Sequence, residues 1–169
     1  EARVPSLRNR VPRRSPLRPA RRPLLAIPII LLFPEEKKQA IRWTATIAAA
    51  LPLVLCIYLL TKFDPGNTGI QFQHHFVWIR SFNIEYYVGV DGLSILLILL
   101  TVLITFIAAI SSWGIEKKIR GYFSLFLLLE TGMLGTFCAL DFFLFYVFWE
   151  GMLLPMYFLI GIWGGPRKE

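Results

Sequence analysis

Four long apolar stretches dominate the chain, and each is long enough to cross a lipid bilayer as a helix. They occupy residues 41–60, 91–113, 122–140 and 142–163. An α-helix rises about 1.5 Å per residue, so roughly 20 apolar residues cover a hydrocarbon core of about 30 Å. The pattern predicts an all-α integral membrane protein with about four antiparallel transmembrane helices.

A shorter apolar segment, residues 24–33, precedes these spans. It has only ten residues, LLAIPIILLF, and contains Pro28, so it is too short to cross a bilayer alone. We interpret it as the truncated end of a first helix. A cleaved signal peptide is disfavoured, because the segment is followed by a charged stretch and not by a small-residue cleavage site.

The loop at residues 61–89 is the one long extramembrane connection in the pattern. It opens with the turn sequence Asp64-Pro65-Gly66-Asn67, which is typical of a tight reversal. Its pieces FQHHFVW and FNIEYYV alternate in polarity, as β-strands do. We expect short extended segments on the membrane surface.

Positive charge is concentrated at the N-terminus. The whole chain has a net charge of +7, and residues 1–23 account for it with eight arginines against Glu1. This Arg/Pro-rich tail cannot bury a core and is predicted to be disordered. Such a tail suits anionic lipid or nucleic acid, but a solvated tail or an upstream extension of the reading frame is the simpler interpretation, and no nucleic-acid partner is expected.

The remaining basic residues predict the orientation in the membrane. Ten Lys and Arg lie beyond the tail; Lys62 and Arg80 belong to the long loop, and the other eight lie on the opposite side. Basic residues favour the cytoplasmic side. That side, which includes the chain end at residues 164–169, is therefore predicted to be cytoplasmic, with the loop outside.

Glu150 is the first candidate for function, since it interrupts the last apolar stretch. It lies about 12 Å along the predicted helix, near the centre of the bilayer, where an ionisable group costs on the order of 3 kcal/mol or more. Pro155 leaves the Gly151 carbonyl without its usual donor, and in lipid that carbonyl needs a neighbouring helix or water. The helix face that carries Glu150 is therefore expected to meet protein or a wet cavity; it also carries Phe143, Tyr146, Tyr157 and Gly161.

Two more carboxylates accompany Glu150. The link between the last two spans is so short that they must form an antiparallel hairpin with Asp141 at its tip. Glu130 and Glu150 lie 11 and 9 residues from Asp141, which predicts a similar depth for both. Asp141 is well placed to cap the following helix.

Metal and redox sites are not expected in this chain. His74 and His75 are adjacent, so in a strand they point in opposite directions and do not chelate one ion. Cys56 and Cys138 lie in apolar stretches, which favours buried free thiols. The sequence contains no CxxC set, haem ligand pair or GxGxxG turn.

The stretch FYVFWEGMLLPMYFLIGIWGG, together with YVGVDGLSILL and LLLETGMLGTFCALDFF, resembles the antiporter-like subunit M family of respiratory complex I. The resemblance extends back to about Leu24. The sister subunit L has a similar FWE but lacks the continuation LLPMY, which favours subunit M.

The resemblance implies that Glu150 is the glutamate of a mid-membrane Glu–Lys pair whose lysine lies on a later helix, beyond Glu169. The chain would then be an N-terminal fragment of a longer subunit. Glu130 becomes a candidate relay or lateral connection, and Asp141 an interfacial carboxylate near the outer surface. The arginine tail and Gly151, where a larger apolar residue is common, depart from the family pattern.

The function implied is proton translocation within the membrane arm of NADH-quinone oxidoreductase. The chain would then be a translocase subunit of that enzyme and would have no redox site itself. FMN, iron–sulfur clusters and quinone would belong to partner subunits. Its expected partners are other complex I subunits and the lipid bilayer of a bacterial plasma membrane rather than a mitochondrion, with no small-molecule substrate beyond protons. A multisubunit cation/proton antiporter and a membrane-anchored interaction protein that uses its basic tail are the alternatives.

Overall fold

Four long helices and one β-hairpin make up the fold in the computed structural model, which describes residues 26–32, 34, 37–67, 69–79 and 84–165. The helices are α1 (Lys38–Leu60), α2 (Gly92–Ser111), α3 (Ile119–Cys138) and α4 (Phe142–Trp163), and a 3₁₀ turn (Ser112–Gly114) follows α2. All four are long and apolar enough to cross a membrane. The predicted fold class is confirmed. The tail at 1–23 and most of the predicted cytoplasmic end lie outside the described residues.

The helix bounds follow the apolar pattern, with one instructive difference at the end of α3. The predicted span continued to residue 140, but α3 ends at Cys138 because the next residues pair with a strand. Ala139 forms a β-bridge with Val88, and the Leu140 N–H donates to the Tyr87 carbonyl at 2.9 Å. Strand pairing therefore replaces the last helical turn.

Two antiparallel strands, β1 (Gln71–Ile79) and β2 (Ile84–Val90), form the long loop's extended pieces. Phe76 stacks on Tyr86 across the strands, with ring centroids 4.6 Å apart, and Trp78 contacts Phe143 at the start of α4. The hairpin thus lies over the short link between α3 and α4.

The two adjacent histidines of β1 have different neighbours. A ring nitrogen of His75 lies 2.6 Å from a carboxylate oxygen of Glu85, whereas the His74 ring packs edge-on against Phe76 and Tyr86. Among the described residues, no group of three or more His, Cys, Asp or Glu side chains could hold a metal ion. The histidines therefore contribute to hairpin packing.

Two apolar clusters fill the space between the helices. The hairpin-side cluster joins α1, α2, α3, α4 and β2 and consists of Cys56, Val88, Val90, Ile95, Ile98, Val102, Leu134, Cys138 and Leu144. The basic-side cluster, nearer the predicted cytoplasmic face, consists of Ala26, Ile30, Ile41, Ala45, Ala48, Ala49, Ala109, Ile119, Phe123 and Leu127. Residues 26–32 of the short apolar segment are helical and contribute Ala26 and Ile30 to the basic-side cluster.

Tryptophan side chains connect the helices on the basic side of the bundle. Trp113 donates to the Thr46 hydroxyl at 3.0 Å, and Trp163 donates to the Lys117 carbonyl at 2.7 Å. Trp43 meets Trp113 edge-on at 5.1 Å. Aromatic residues of this kind are enriched where membrane helices meet water, so their position agrees with a membrane boundary near these helix ends.

Asp91 caps α2 and supports a first prediction. Its carboxylate accepts the Ser94 N–H at 2.7 Å, and this bond lowers the pKa of Asp91 below its ordinary value. Replacing Asp91 with Ala should reduce the free energy of unfolding by about 1 kcal/mol at pH 7. Thermal unfolding of the full-length protein in detergent measures the effect.

The pH dependence of this stabilisation has a definite sign. A carboxyl with a lower pKa in the folded state adds stability above its unfolded pKa, and this stability disappears as pH falls through the folded pKa. Asp91→Asn is the matched control, because it keeps a capping side chain without a charge. Equal stability of D91A, D91N and the parent protein at pH 7 would refute the cap.

Candidate functional site

The α3–α4 hairpin carries all three candidate carboxylates, and two glycines bring its helices close together. A Cβ placed on Gly132 would lie 2.7 Å from Met152 Cβ and 3.2 Å from Met152 Cα. One placed on Gly135 would overlap the Phe148 ring. Glycine is therefore needed at both positions for the backbones to approach.

Asp141 lies at the tip of this hairpin and caps α4. Its backbone is extended, and its carboxylate accepts the Leu144 N–H at 2.9 Å. A carboxylate at a helix N-terminus is stabilised by the unpaired N–H groups there and by the helix dipole. The geometry gives Asp141 a structural role; its functional role as an interfacial carboxylate near the outer surface stays a prediction.

Glu150 lies on the open face of α4. Within the described chain no other element covers this face, and only 11% of the α4 span is buried. Tyr146, one turn before Glu150, interacts with the Glu150 side chain. All the residues predicted to share the Glu150 face are exposed, namely Phe143, Tyr146, Tyr157 and Gly161.

The open face differs from the expectation that protein or a wet cavity would receive Glu150. The described helices pack on the other side of α4, where Leu144 and Pro155 are buried. Any cover for Glu150 must therefore come from outside the described residues. Because a carboxylate in bare lipid is costly, we expect a polar group from outside the described residues to meet Glu150.

Glu130 lies in the opposite environment. Its side chain is 0% exposed, and neither carboxylate oxygen has a hydrogen-bond partner among the described residues. Burial of an unpaired ionised carboxylate is strongly unfavourable. Glu130 is therefore a fully buried carboxyl group whose environment, among the described residues, does not favour its ionised form.

The structure does not bring the two glutamates together. Since Gly132 lies opposite Met152, Glu130 and Glu150 differ in depth by four residues, or about 6 Å along the helix axis. The similar depth predicted for them therefore holds to about one helical turn. However, Glu130 is buried and Glu150 is exposed, so they lie on different sides of the hairpin and do not form a carboxylate pair.

Comparisons with known proteins now bear on this arrangement. No protein-family model matches the chain. NADH-quinone oxidoreductase subunit M of Rickettsia conorii is 38% identical over 152 residues, which cover 86% of this chain and 31% of that protein. Subunit M of Rhodobacter capsulatus is 41% identical over 127 residues, covering 75% of this chain and 24% of that protein.

Over its matched residues, the chain is a homologue of NADH-quinone oxidoreductase subunit M. NAD(P)H-quinone oxidoreductase chain 4 3 of Picosynechococcus is also similar, with 37% identity over 148 residues, 87% of this chain and 27% of that protein. A solved structure, respiratory complex I from Thermus thermophilus with bound NADH, matches with a TM-score of 0.72 and 27% identity over 90% of this chain and 30% of the matched one. The predicted resemblance is confirmed.

The chain spans about a third of the length of the subunit M relatives it matches, or less. Those relatives therefore contain a large segment with no counterpart here.

Sequence reasoning missed two buried residues that lie, like Glu130, between residues of the two apolar clusters on their own helices. Pro52 of α1 and Thr105 of α2 are both buried, and each lies between the two apolar clusters. A signal was present, since Thr105 continues the helical stripe Ile95, Ile98, Val102 and Ala109. A polar residue at the centre of such a stripe marks a position where neighbouring polar groups should be sought.

Proposed function

We propose that the chain is part of a membrane-arm subunit of a proton-pumping NADH-quinone oxidoreductase, with Glu150 as the translocating carboxylate. The observation that carries the proposal is Glu150 itself, placed near the middle of an apolar span and on the face that the described helices leave open. Similarity to subunit M proteins supports the assignment.

The chemistry follows from how charge affects a carboxyl group outside bulk water. An approaching cation favours the carboxylate and so releases a proton, whereas its withdrawal favours the neutral acid. A basic side chain on a helix that completes the open face would act in this way. Small movements of that side chain would then control when Glu150 binds and releases a proton.

Two tyrosines give this face a polar lining. Tyr146 interacts with Glu150 from one turn away, and Tyr157 follows on the same stripe, with 73% of its surface exposed. Phenolic hydroxyls both donate and accept hydrogen bonds, so they suit a path along which protons reach and leave the carboxyl. We assign Tyr146 the role of positioning the Glu150 carboxylate.

Electron transfer is assigned to other subunits. FMN, iron–sulfur clusters and quinone are expected there, because the sequence of this chain contains no CxxC set, haem ligand pair or GxGxxG turn. The chain would reside in a bacterial plasma membrane with other complex I subunits as partners. Its own substrate would be the proton.

Affinity purification of the tagged full-length protein from its native membrane tests the assignment. We expect NADH-quinone oxidoreductase subunits to co-purify in constant proportion, together with NADH oxidation activity. An untagged strain provides the background control. Recovery of cation/proton antiporter subunits without NADH oxidation would contradict the proposal and favour the antiporter alternative.

A further inference from the structure

One row of buried residues along α3 contains a single polar interruption. Six residues follow one another at helical spacing along this face and are all buried: Ile119, Phe123, Leu127, Glu130, Leu134 and Cys138. Five belong to the two apolar clusters. Glu130 is the only one of the six with a carboxyl group, and it occupies a position where its neighbours in the row are apolar core residues.

The interruption continues through the two neighbouring helices. On α1, Pro52 lies between Ala49 of the basic-side cluster and Cys56 of the hairpin-side cluster. On α2, Thr105 lies between Ala109 and Val102 in the same way. Each of the three helices thus places at least one buried residue at the level between the clusters, and α3 also buries Thr131 and Gly132 there. We call Pro52, Thr105 and Glu130 the polar layer.

The groups that α1 and α2 contribute to this layer are hydrogen-bond acceptors. The Thr105 hydroxyl donates to the Thr101 carbonyl at 2.8 Å, so only its lone pairs remain available. Pro52 has no N–H, so the Ala48 carbonyl lacks the donor it would otherwise receive from four residues on. Two acceptors therefore lie at the level of Glu130.

An ionised Glu130 would add further acceptors to a layer that lacks a donor. A neutral carboxylic acid instead brings one O–H donor and avoids the burial of a charge. The other charged groups of α1 and α3 are near the basic end, namely Lys38, Arg42 and Arg120, and α2 has none. Glu150 lies on the open face of α4, away from this layer. The Cys56 thiol, one helical turn from Pro52 towards the hairpin side, is only a weak donor.

We propose that the polar layer is a proton-binding site, separate from Glu150, in which Glu130 holds a proton as the neutral acid. In this proposal a buried water links the acid to the Thr105 hydroxyl, since neither Glu130 oxygen has a hydrogen-bond partner among the described residues. Such waters typically satisfy buried polar groups that lack direct partners. The site stands or falls independently of the proposed pumping role.

Infrared difference spectroscopy of the full-length protein in its native complex tests this site. The spectrum of the parent protein minus E130Q should contain a carboxylic-acid carbonyl band at pH 7, which moves to lower frequency in D₂O. Thr105→Val should move the band to higher frequency, because it removes the hydroxyl and weakens the hydrogen bonding of the acid.

Thr101→Val is the matched control, since Thr101 lies one turn from Thr105 and its hydroxyl bonds the Leu97 carbonyl instead. It should leave the band in place. Carboxylate bands in place of the acid band at pH 7, or an acid band that T105V does not move, would overturn the proposal. If E130Q fails to assemble, the infrared difference spectrum between T105V and the parent protein is sufficient by itself, because it contains the same shift of the carboxylic-acid band.

Discussion

Replacing Glu150 with Gln in the full-length protein should reduce proton pumping by the complex by at least about tenfold. Gln has nearly the same shape but cannot exchange a proton, and a positioned proton-transfer group contributes on the order of 10²-fold or more to a rate. Proton uptake into inverted membrane vesicles, driven by NADH and normalised to the assembled complex, measures the loss.

Glu116→Gln is the control for this experiment. Glu116 is a largely exposed carboxylate in the link between α2 and α3, where it approaches Lys38 at 3.9 Å, and an exposed pair of this kind contributes little. We expect E116Q to pump at the parent rate. Unchanged proton uptake in E150Q, with normal assembly, would remove Glu150 from the mechanism.

The second large effect is expected at the close contact between α3 and α4. Gly132→Val would bring methyl groups against Met152, where even a Cβ would lie 3.2 Å from backbone Cα. Overpacking in a close-packed interior costs about 1–3 kcal/mol. The free energy of unfolding of the full-length protein should fall by that amount, which thermal unfolding in detergent measures.

The same substitution at Gly92 provides the comparison. A Cβ on Gly92 meets nothing within 4 Å, so G92V should stay within about 0.5 kcal/mol of the parent protein. Because both variants replace a helical glycine with valine, the difference between them isolates the contact with Met152. Equal stability of G132V and G92V would show that the two helices are not packed as described.

Much of the fold was predictable because apolar length is a strong signal in a membrane protein. The bounds of α4 agree with the predicted 142–163, and the alternating loop pieces form β1 and β2. The end of α3 was not predictable, since it depends on the pairing of Val88 with Ala139. That pairing joins residues far apart in the chain, which no local pattern reports.

The site was predicted only in part, for a different physical reason. Burial cost marks Glu130 and Glu150 as unusual from sequence alone, but their surroundings depend on which side of each helix meets a neighbour. The hairpin turns Glu130 towards the core and leaves Glu150 on the open face. The similar depth expected for the two glutamates does not specify which side of the hairpin each one faces.

A structure of the full-length protein in lipid tests the central claim most directly, because it shows what covers the open face of α4. We expect Glu150 to be enclosed by further helices, with a Lys or Arg nitrogen within about 6 Å of its carboxylate. A Glu150 side chain that faces lipid tails or bulk water, with no cation near it, would contradict the account.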